Sequence, residues 1–243
     1  RRKGYGQFRW RKLRLEKAAV KDIIGVGLPA GIQSTIFSLS NVLIQSSINA
    51  FGDIAMAGNA AAGNVEGFVY VAMNAVAQSC LTFTGQNYGA HKPENMTLAL
   101  WQALGLATVV GLVLGLGVYF AGNFLLGIYN SNPEVIAYGL ERLSVICTCY
   151  FLCGIMETLA SSLRGMGSSI VPMAMSILGV VGVRIVYIYT VFRAYHTLLV
   201  LYLSYPVSWL FTCIAHMVCL LLVRKRVYRR LREAAPVQQE VEL

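Results

Sequence analysis

Residues 198–223 read LLVLYLSYPVSWLFTCIAHMVCLLLV, and the basic segment RKRVYRR follows directly at residues 224–230. The apolar stretch contains no Asp, Glu, Lys or Arg. A helix needs about 20 apolar residues to cross the hydrocarbon core of a bilayer, and Lys and Arg are enriched on the cytoplasmic side. The stretch therefore predicts a transmembrane helix whose basic end lies in the cytoplasm.

Five further apolar runs precede this one, and each is long enough to cross a bilayer. Short, turn-like segments separate the runs, so consecutive helices must run antiparallel. The sequence therefore predicts an all-α, polytopic membrane protein with six transmembrane helices. The five runs comprise residues 23–50, 54–83, 97–126, 135–163 and 170–192.

Charge is concentrated at the two ends of the chain. Only 13% of the 243 residues are charged and 56% are hydrophobic, yet the formal net charge is +9. Because the basic clusters flank the apolar body, they fit the positive-inside rule better than nucleic-acid binding, and we expect no nucleic-acid partner. We expect a multi-pass protein of the cell (inner) membrane with both ends in the cytoplasm. The predicted organisation is a basic cytoplasmic linker or amphipathic segment at 1–22, a six-helix transmembrane lobe at 23–226 and a cytoplasmic tail at 227–243.

The sequence carries no motif for a metal, a nucleotide or a catalytic centre. All six cysteines fall inside apolar runs, unlike the disulfide framework of a secreted protein, and none is part of a CxxC pair at zinc spacing. The sequence also has no Walker A motif and no recognisable nucleophile with its base. We therefore expect no metal, no cofactor other than a transported ion, and no enzymatic activity.

Polar residues recur every three or four positions in the first two runs, so each set shares one face of its helix. Such faces can join two helices by side-chain hydrogen bonds, or they can line one water-filled cavity. Both interpretations stay open from the sequence. The first run contributes Ser34, Ser38, Asn41, Gln45 and Asn49, and the second contributes Asn59, Gly63, Glu66, Tyr70 and Asn74.

Three ionisable residues lie at membrane depth, where charge is costly and tends to mark an ion or substrate pathway. Glu157 is the first candidate for binding and releasing a proton or Na⁺, because a desolvated carboxylate readily takes up a cation. Glu66 is the second candidate for cation coupling. It also lies at a similar depth to Arg184, so a structural ion pair between Glu66 and Arg184 is the competing prediction.

Three segments in order resemble the multidrug and toxic compound extrusion (MATE) family of transporters. Residues 24–34 read IGVGLPAGIQS at the start of the first run, and residues 84–90 read TGQNYGA after the second. Residues 163–172 read LRGMGSSIVP after the fourth run, and residues 183–185 also fit. The order and spacing of these segments extend over about 200 residues, and the chain resembles the C-terminal six-helix lobe of such a transporter.

The resemblance implies a protein of two six-helix lobes around a central cavity. Such a protein exports organic, often cationic, small molecules in exchange for Na⁺ or H⁺ by alternating access. The partner of this lobe would be an N-terminal lobe of the same protein or a second copy. Carboxylates that face the cavity commonly handle the cation in this family, and Glu66 and Glu157 lie on two of the helices concerned.

The leading hypothesis is therefore a multidrug exporter whose partners are membrane lipid and small-molecule substrates. Tyr70, Met73, Tyr150, Met156 and Trp209 offer an apolar, adaptable surface for such compounds, although these residue types also pack helices together. Two alternatives are a lipid-linked saccharide flippase of the same superfamily, which would need a strongly cationic cavity, and a non-transporting membrane scaffold.

Overall fold

The structure is a computed structural model that describes residues 16–241. Every element in this range is helical, which confirms the predicted all-α class. Helices are expected because a helix satisfies its own backbone hydrogen bonds in lipid. The α-helices are α1 (Lys17–Asn49), α2 (Asp53–Gly89), α3 (Pro93–Phe120), α4 (Gly122–Tyr129), α5 (Pro133–Ile146), α6 (Tyr150–Gly165), α7 (Ile170–Ser176), α8 (Val183–Tyr187) and α9 (Leu198–Val241).

Four helical segments of the described chain are long and apolar enough to cross a bilayer, and the bent α5–α6 pair makes a fifth. The four segments comprise residues 19–49, 93–120, 170–192 and 198–231. The remaining predicted span, residues 54–83, lies in α2, which has 37 residues and sufficient length but does not belong to this apolar set. Asn, Gln and Glu side chains along α2 lower its hydropathy, so the count of six stays a prediction.

The predicted domain boundaries fall inside continuous helices. Helix α1 already begins at Lys17, so it includes the boundary predicted between residues 22 and 23. Helix α9 runs from Leu198 to Val241 and continues through the boundary predicted between residues 226 and 227. The basic residues after position 223 therefore extend the last helix.

Helix α2 lies at the centre of the structure, where it packs against α3, α5 and α6, and α6 packs in turn against α9. Large apolar side chains such as Phe120 and Leu222 are exposed on the outside, at 80% and 65% of their surface. An exposed apolar surface of this extent would be unusual in a protein that faces water, but it is the surface that lipid contacts.

The fourth predicted span, residues 135–163, is broken into two helices that meet at an angle of 49°. Thr148 lies in the break, and its hydroxyl donates hydrogen bonds to the carbonyl oxygens of Ser144 at 2.6 Å and Val145 at 3.2 Å. These local bonds compete with helical backbone bonds. The prediction of one continuous helix was therefore wrong, and neither Pro nor Gly marks the break.

The fifth span, residues 170–192, was predicted correctly in its extent but contains two π-helical segments. These segments, Ile177–Gly182 and Ile188–Phe192, flank the short helix α8. Extra residues in a π-turn rotate the side chains that follow, and such turns are frequent at functional sites. Arg184 lies in α8, between the two segments.

Small residues allow α3 to approach α6 closely. A Cβ atom added to Gly111 of α3 would lie 2.7 Å from the Cα atom of Phe151, whereas one added to Gly117 would meet nothing within 4 Å. Glycine at position 111 is therefore required by the packing of two backbones, as is common between transmembrane helices.

We predict that Gly111→Ala destabilises the full-length protein, because the backbone of α6 must move to admit the methyl group. The expected loss is about 1–3 kcal/mol, the usual range for overpacking. The measurement is thermal unfolding of the purified protein in detergent. Gly117→Ala in the same helix is the matched control and should leave the unfolding temperature unchanged or slightly higher. Equal effects of the two substitutions would contradict the close contact.

Candidate cavity and ion-pair network

A cavity of about 620 Å³ lies between α1, α2, α5, α6, the fifth span and α9. One part of its wall is apolar and aromatic, with Tyr150, Tyr205 and Trp209. The remaining wall is polar and includes two carboxylates and two guanidinium groups. The polar lining residues are Ser34, Ser38, Asn41, Gln45, Asn59, Glu66, Tyr70, Arg142, Glu157 and Arg184.

An ion pair between Glu66 of α2 and Arg142 of α5 is buried in this wall. The Arg142 side chain donates two hydrogen bonds to the Glu66 carboxylate, with Nε 3.2 Å from Oε2 and Nη2 bonded to Oε1. Only 9% of the Glu66 surface and 7% of the Arg142 surface are exposed. A two-point contact of this kind fixes both side chains and neutralises both charges.

Hydrogen bonds extend this pair into a network that reaches α1. Arg142 also donates to the amide oxygen of Asn59, whose amide nitrogen donates to the Gln45 side chain at 2.9 Å. Gln45 donates in turn to Asn49 at 3.0 Å. The network therefore connects α5, α2 and α1 across the cavity wall.

Aromatic rings enclose the guanidinium group of Arg142. Its Cζ atom lies 5.7 Å from the centre of the Tyr202 ring and 5.6 Å from that of Tyr205. Both tyrosines belong to α9, and cation–π contacts of this length are favourable when the cation is desolvated. Arg142 thus joins α9 to the helices of the network.

The other two charged groups of the cavity have no counter-ion among the residues that the structure describes. Glu157, on α6, is half-buried in the wall. Arg184 is 4% exposed, and its partners are neutral: Nε donates to Ser208 at 3.1 Å and Nη1 to Asn41 at 3.3 Å. The cavity therefore holds one neutralised pair and two separate charges of opposite sign.

The family comparison fits this architecture. The MatE family model matches residues 29–190. The chain belongs to the MatE family. Membership of this family and the apolar helices of membrane-spanning length together identify the chain as a multi-pass membrane protein.

Curated MATE relatives are similar to the chain over part of their length. A probable multidrug resistance protein of Bacillus subtilis, YoeA, is 22% identical over 175 residues, which are 72% of this chain and 38% of YoeA. The probable multidrug resistance protein NorM of Thermotoga maritima is 23% identical over 66% of this chain and 34% of its own length. The chain thus spans little more than a third of these relatives.

Solved MATE structures share the fold. A MATE protein in complex with MaL6 superposes with a TM-score of 0.79 at 18% identity, over 95% of this chain and 51% of that protein. VcmN of Vibrio cholerae, in its bent form, gives a TM-score of 0.73 at 20% identity, over 93% of this chain and 50% of VcmN. The chain therefore corresponds to about half of a MATE fold.

The structure places most of the sequence-predicted cavity residues in the wall of this cavity. Asn49, Asn74 and Met73 lie outside that wall, and Met73 is buried in the hydrophobic core. Asn49 accepts a hydrogen bond from Gln45 outside the lining, and Asn74 accepts one from Gln78 at 3.5 Å. The predicted residues in the cavity wall are Ser34, Ser38, Asn41, Gln45, Asn59, Gly63, Tyr70, Tyr150, Met156 and Trp209, together with Glu66, Glu157 and Arg184.

The predicted ion pair between Glu66 and Arg184 was wrong. Glu66 pairs with Arg142, which was not among the predicted partners. One signal was available: Arg142 lies within an apolar run, and an unpaired charge there is costly. The depth of Glu66 would have fitted Arg142 as well as Arg184.

We predict that Arg142→Gln destabilises the full-length protein, because it leaves the Glu66 carboxylate buried without a counter-ion. Removal of one partner of a buried pair typically costs about 3–5 kcal/mol. The measurement is thermal unfolding in detergent. Glu233→Gln, which removes the exposed pair with Arg229, is the control and should have little effect. A double variant, Glu66→Gln with Arg142→Gln, should recover part of the loss; a double variant as unstable as the sum of the single ones would contradict the pairing.

Proposed function

We propose that this chain forms one half of an antiporter that exports organic small molecules in exchange for Na⁺ or H⁺. The relatives support transport of organic compounds in general: several are named probable multidrug resistance proteins, and one from Shewanella oneidensis is named an FAD transporter at 24% identity over 57% of this chain. Alternating access of two lobes around a central cavity would carry the substrate across the membrane.

The proposal depends on the position and surroundings of Glu157. It is a carboxylate on the cavity wall that forms no salt bridge with any side chain that the structure describes. A carboxylate in such surroundings is stabilised when it takes up a proton or Na⁺, and it loses that ion when the cavity opens to water on the other side. Glu157 therefore has the properties of the coupling site.

Glu66 is less suited to the same role. Its carboxylate already holds two hydrogen bonds from Arg142, so a proton or Na⁺ would have to displace a guanidinium group. We propose that Glu66 fixes α2 to α5 and shapes the cavity, while Glu157 exchanges the ion.

Exposed polar residues on the α1 side of the cavity support a second lobe as the partner of this chain. Ser34, Ser38 and Asn41 of α1 are exposed in the structure, although they lie in a helix of membrane-spanning length. Polar side chains at that depth are stable against water or protein but not against lipid. We propose that the other half of the full-length protein covers this face and completes the cavity in the cell membrane, with both ends of the present chain in the cytoplasm.

The first experiment is ethidium efflux from cells that express the full-length protein. The proton gradient and the Na⁺ gradient are collapsed separately. Efflux that stops with one of them supports the antiporter and identifies the ion. Efflux that continues without either gradient, or no movement of dye under any condition, contradicts the proposal.

We predict that Glu157→Gln abolishes ion-driven efflux and leaves expression and folding intact, because glutamine keeps the shape of the side chain but neither binds nor releases a proton. Efflux in cells is measured beside the amount of protein in the membrane. Glu94→Gln, at an exposed position in the first turn of α3, is the matched control and should transport normally. Normal efflux by Glu157→Gln would exclude Glu157 from the coupling mechanism.

A further inference from the structure

Arg184 is a buried cation whose neighbours leave most of its hydrogen-bonding capacity unused. A guanidinium group has five N–H donors. In the described structure two of them are engaged, by the hydroxyl of Ser208 and the amide oxygen of Asn41. Ser208 donates its own hydrogen to the carbonyl oxygen of Tyr205 at 2.8 Å, so its oxygen is free to accept from Arg184. Three donors and a full positive charge remain at the wall of the cavity.

A buried charge without a counter-ion is unfavourable unless something else compensates it. None of the carboxylates that the structure describes lies within 4.0 Å of Arg184, whereas Arg142 in the same cavity has one. The two arginines therefore differ: Glu66 neutralises Arg142, whereas the described partners of Arg184 are neutral. A planar guanidinium with adjacent free donors matches the two oxygens of a carboxylate or phosphate.

A row of aromatic rings begins next to the guanidinium group of Arg184. The Cζ atom of Arg184 lies 4.2 Å from the centre of the Tyr205 ring, a contact that holds the guanidinium plane in place. The Tyr205 ring lies 5.9 Å from that of Trp209, which lies 5.4 Å from that of Tyr150. All three rings line the cavity. A flat aromatic compound would find an apolar surface next to the charge.

The backbone around Arg184 favours a specific orientation of its side chain. The residue lies in a five-residue helix, Val183–Tyr187, between two π-helical segments. A Cβ atom at Gly179, in the first of these segments, would lie 3.1 Å from the Cα atom of Thr212, so this segment packs closely against α9. The close contact keeps Arg184 beside Ser208 and Tyr205 of the same helix.

We propose that Arg184, together with Tyr205 and Trp209, recognises the acidic group of an aromatic substrate. This inference rests on the proposed transport function and names a substrate class for it. The family resemblance implied substrates that are often cationic, and the positive group of such a substrate would pair with Glu157. In this proposal the substrate also carries a carboxylate or phosphate, attached to its aromatic system, which Arg184 binds.

Equilibrium binding to the purified full-length protein tests the proposal without any ion gradient. The probes share one fluorophore and differ in charge: dansylglycine is anionic, dansylglycinamide is neutral and dansylcadaverine is cationic. Energy transfer from tryptophan to the dansyl group reports binding. We expect the wild-type protein to bind dansylglycine about tenfold more tightly than the amide, the gain typical of one charge-assisted contact. Equal affinities, or no binding of either compound, would overturn the proposal.

The variant Arg184→Gln should remove the preference for dansylglycine over the amide and leave binding of the amide unchanged. Arg193→Gln, an exposed position after the fifth span, is the matched control and should keep the preference. Arg184→Lys keeps the positive charge and should keep part of the preference for dansylglycine. This partial preference distinguishes loss of recognition from loss of folding. A preference that survives Arg184→Gln would overturn the assignment. Failure of ethidium efflux with this preference intact would instead contradict the transport proposal alone.

Discussion

Glu66 and Arg142 neutralise one another inside the helical bundle, and the charge distribution of the cavity follows from that contact. A carboxylate and a guanidinium at this depth are each unfavourable alone. Paired, they hold α2 against α5, and a third donor of Arg142 extends the contact through Asn59 to α1. Because this pair is satisfied within the protein, the charges that remain available to an ion or a substrate are Glu157 and Arg184.

The same bundle has an apolar outer surface and a polar inner cavity wall. Its outside presents large apolar side chains to lipid, while its cavity wall presents hydroxyl, amide and charged groups. Close backbone packing separates the two, as where Gly111 of α3 meets Phe151 of α6. Asn59 and Glu66 lower the hydropathy of α2, and both line the cavity, so side chains that make this helix less apolar also form part of the polar wall.

The sequence was sufficient to predict the helical class and most of the cavity wall. Apolar runs define the spans directly, and the three- and four-residue spacing of Ser38, Asn41 and Gln45 is enough to place them on one face of a helix. The partners of the charged residues could not be predicted in this way. Similar depths allowed Glu66 to pair with either Arg142 or Arg184, and only the rotation and tilt of the helices decide between them.

The break at Cys147–Cys149 was unpredictable for a different reason, because helix breaks are usually marked by Pro or Gly and neither occurs there. The Thr148 hydroxyl instead bonds to carbonyl groups of the preceding turn, an arrangement that many continuous helices also tolerate.

The opposite signs of Glu157 and Arg184 constrain how exchange can work. Antiport requires that binding of the ion and binding of the substrate oppose each other, since the coupling between two sites is reciprocal. A cation on Glu157 would attract an anion at Arg184, so the acidic group alone gives the wrong sign of coupling. In the proposed antiporter, competition would therefore occur at Glu157 itself, where a positive centre of the substrate would displace the ion. In the proposed antiporter, a compound with both an acidic and a basic group would satisfy both residues, because Arg184 would contribute affinity while Glu157 would carry the exchange.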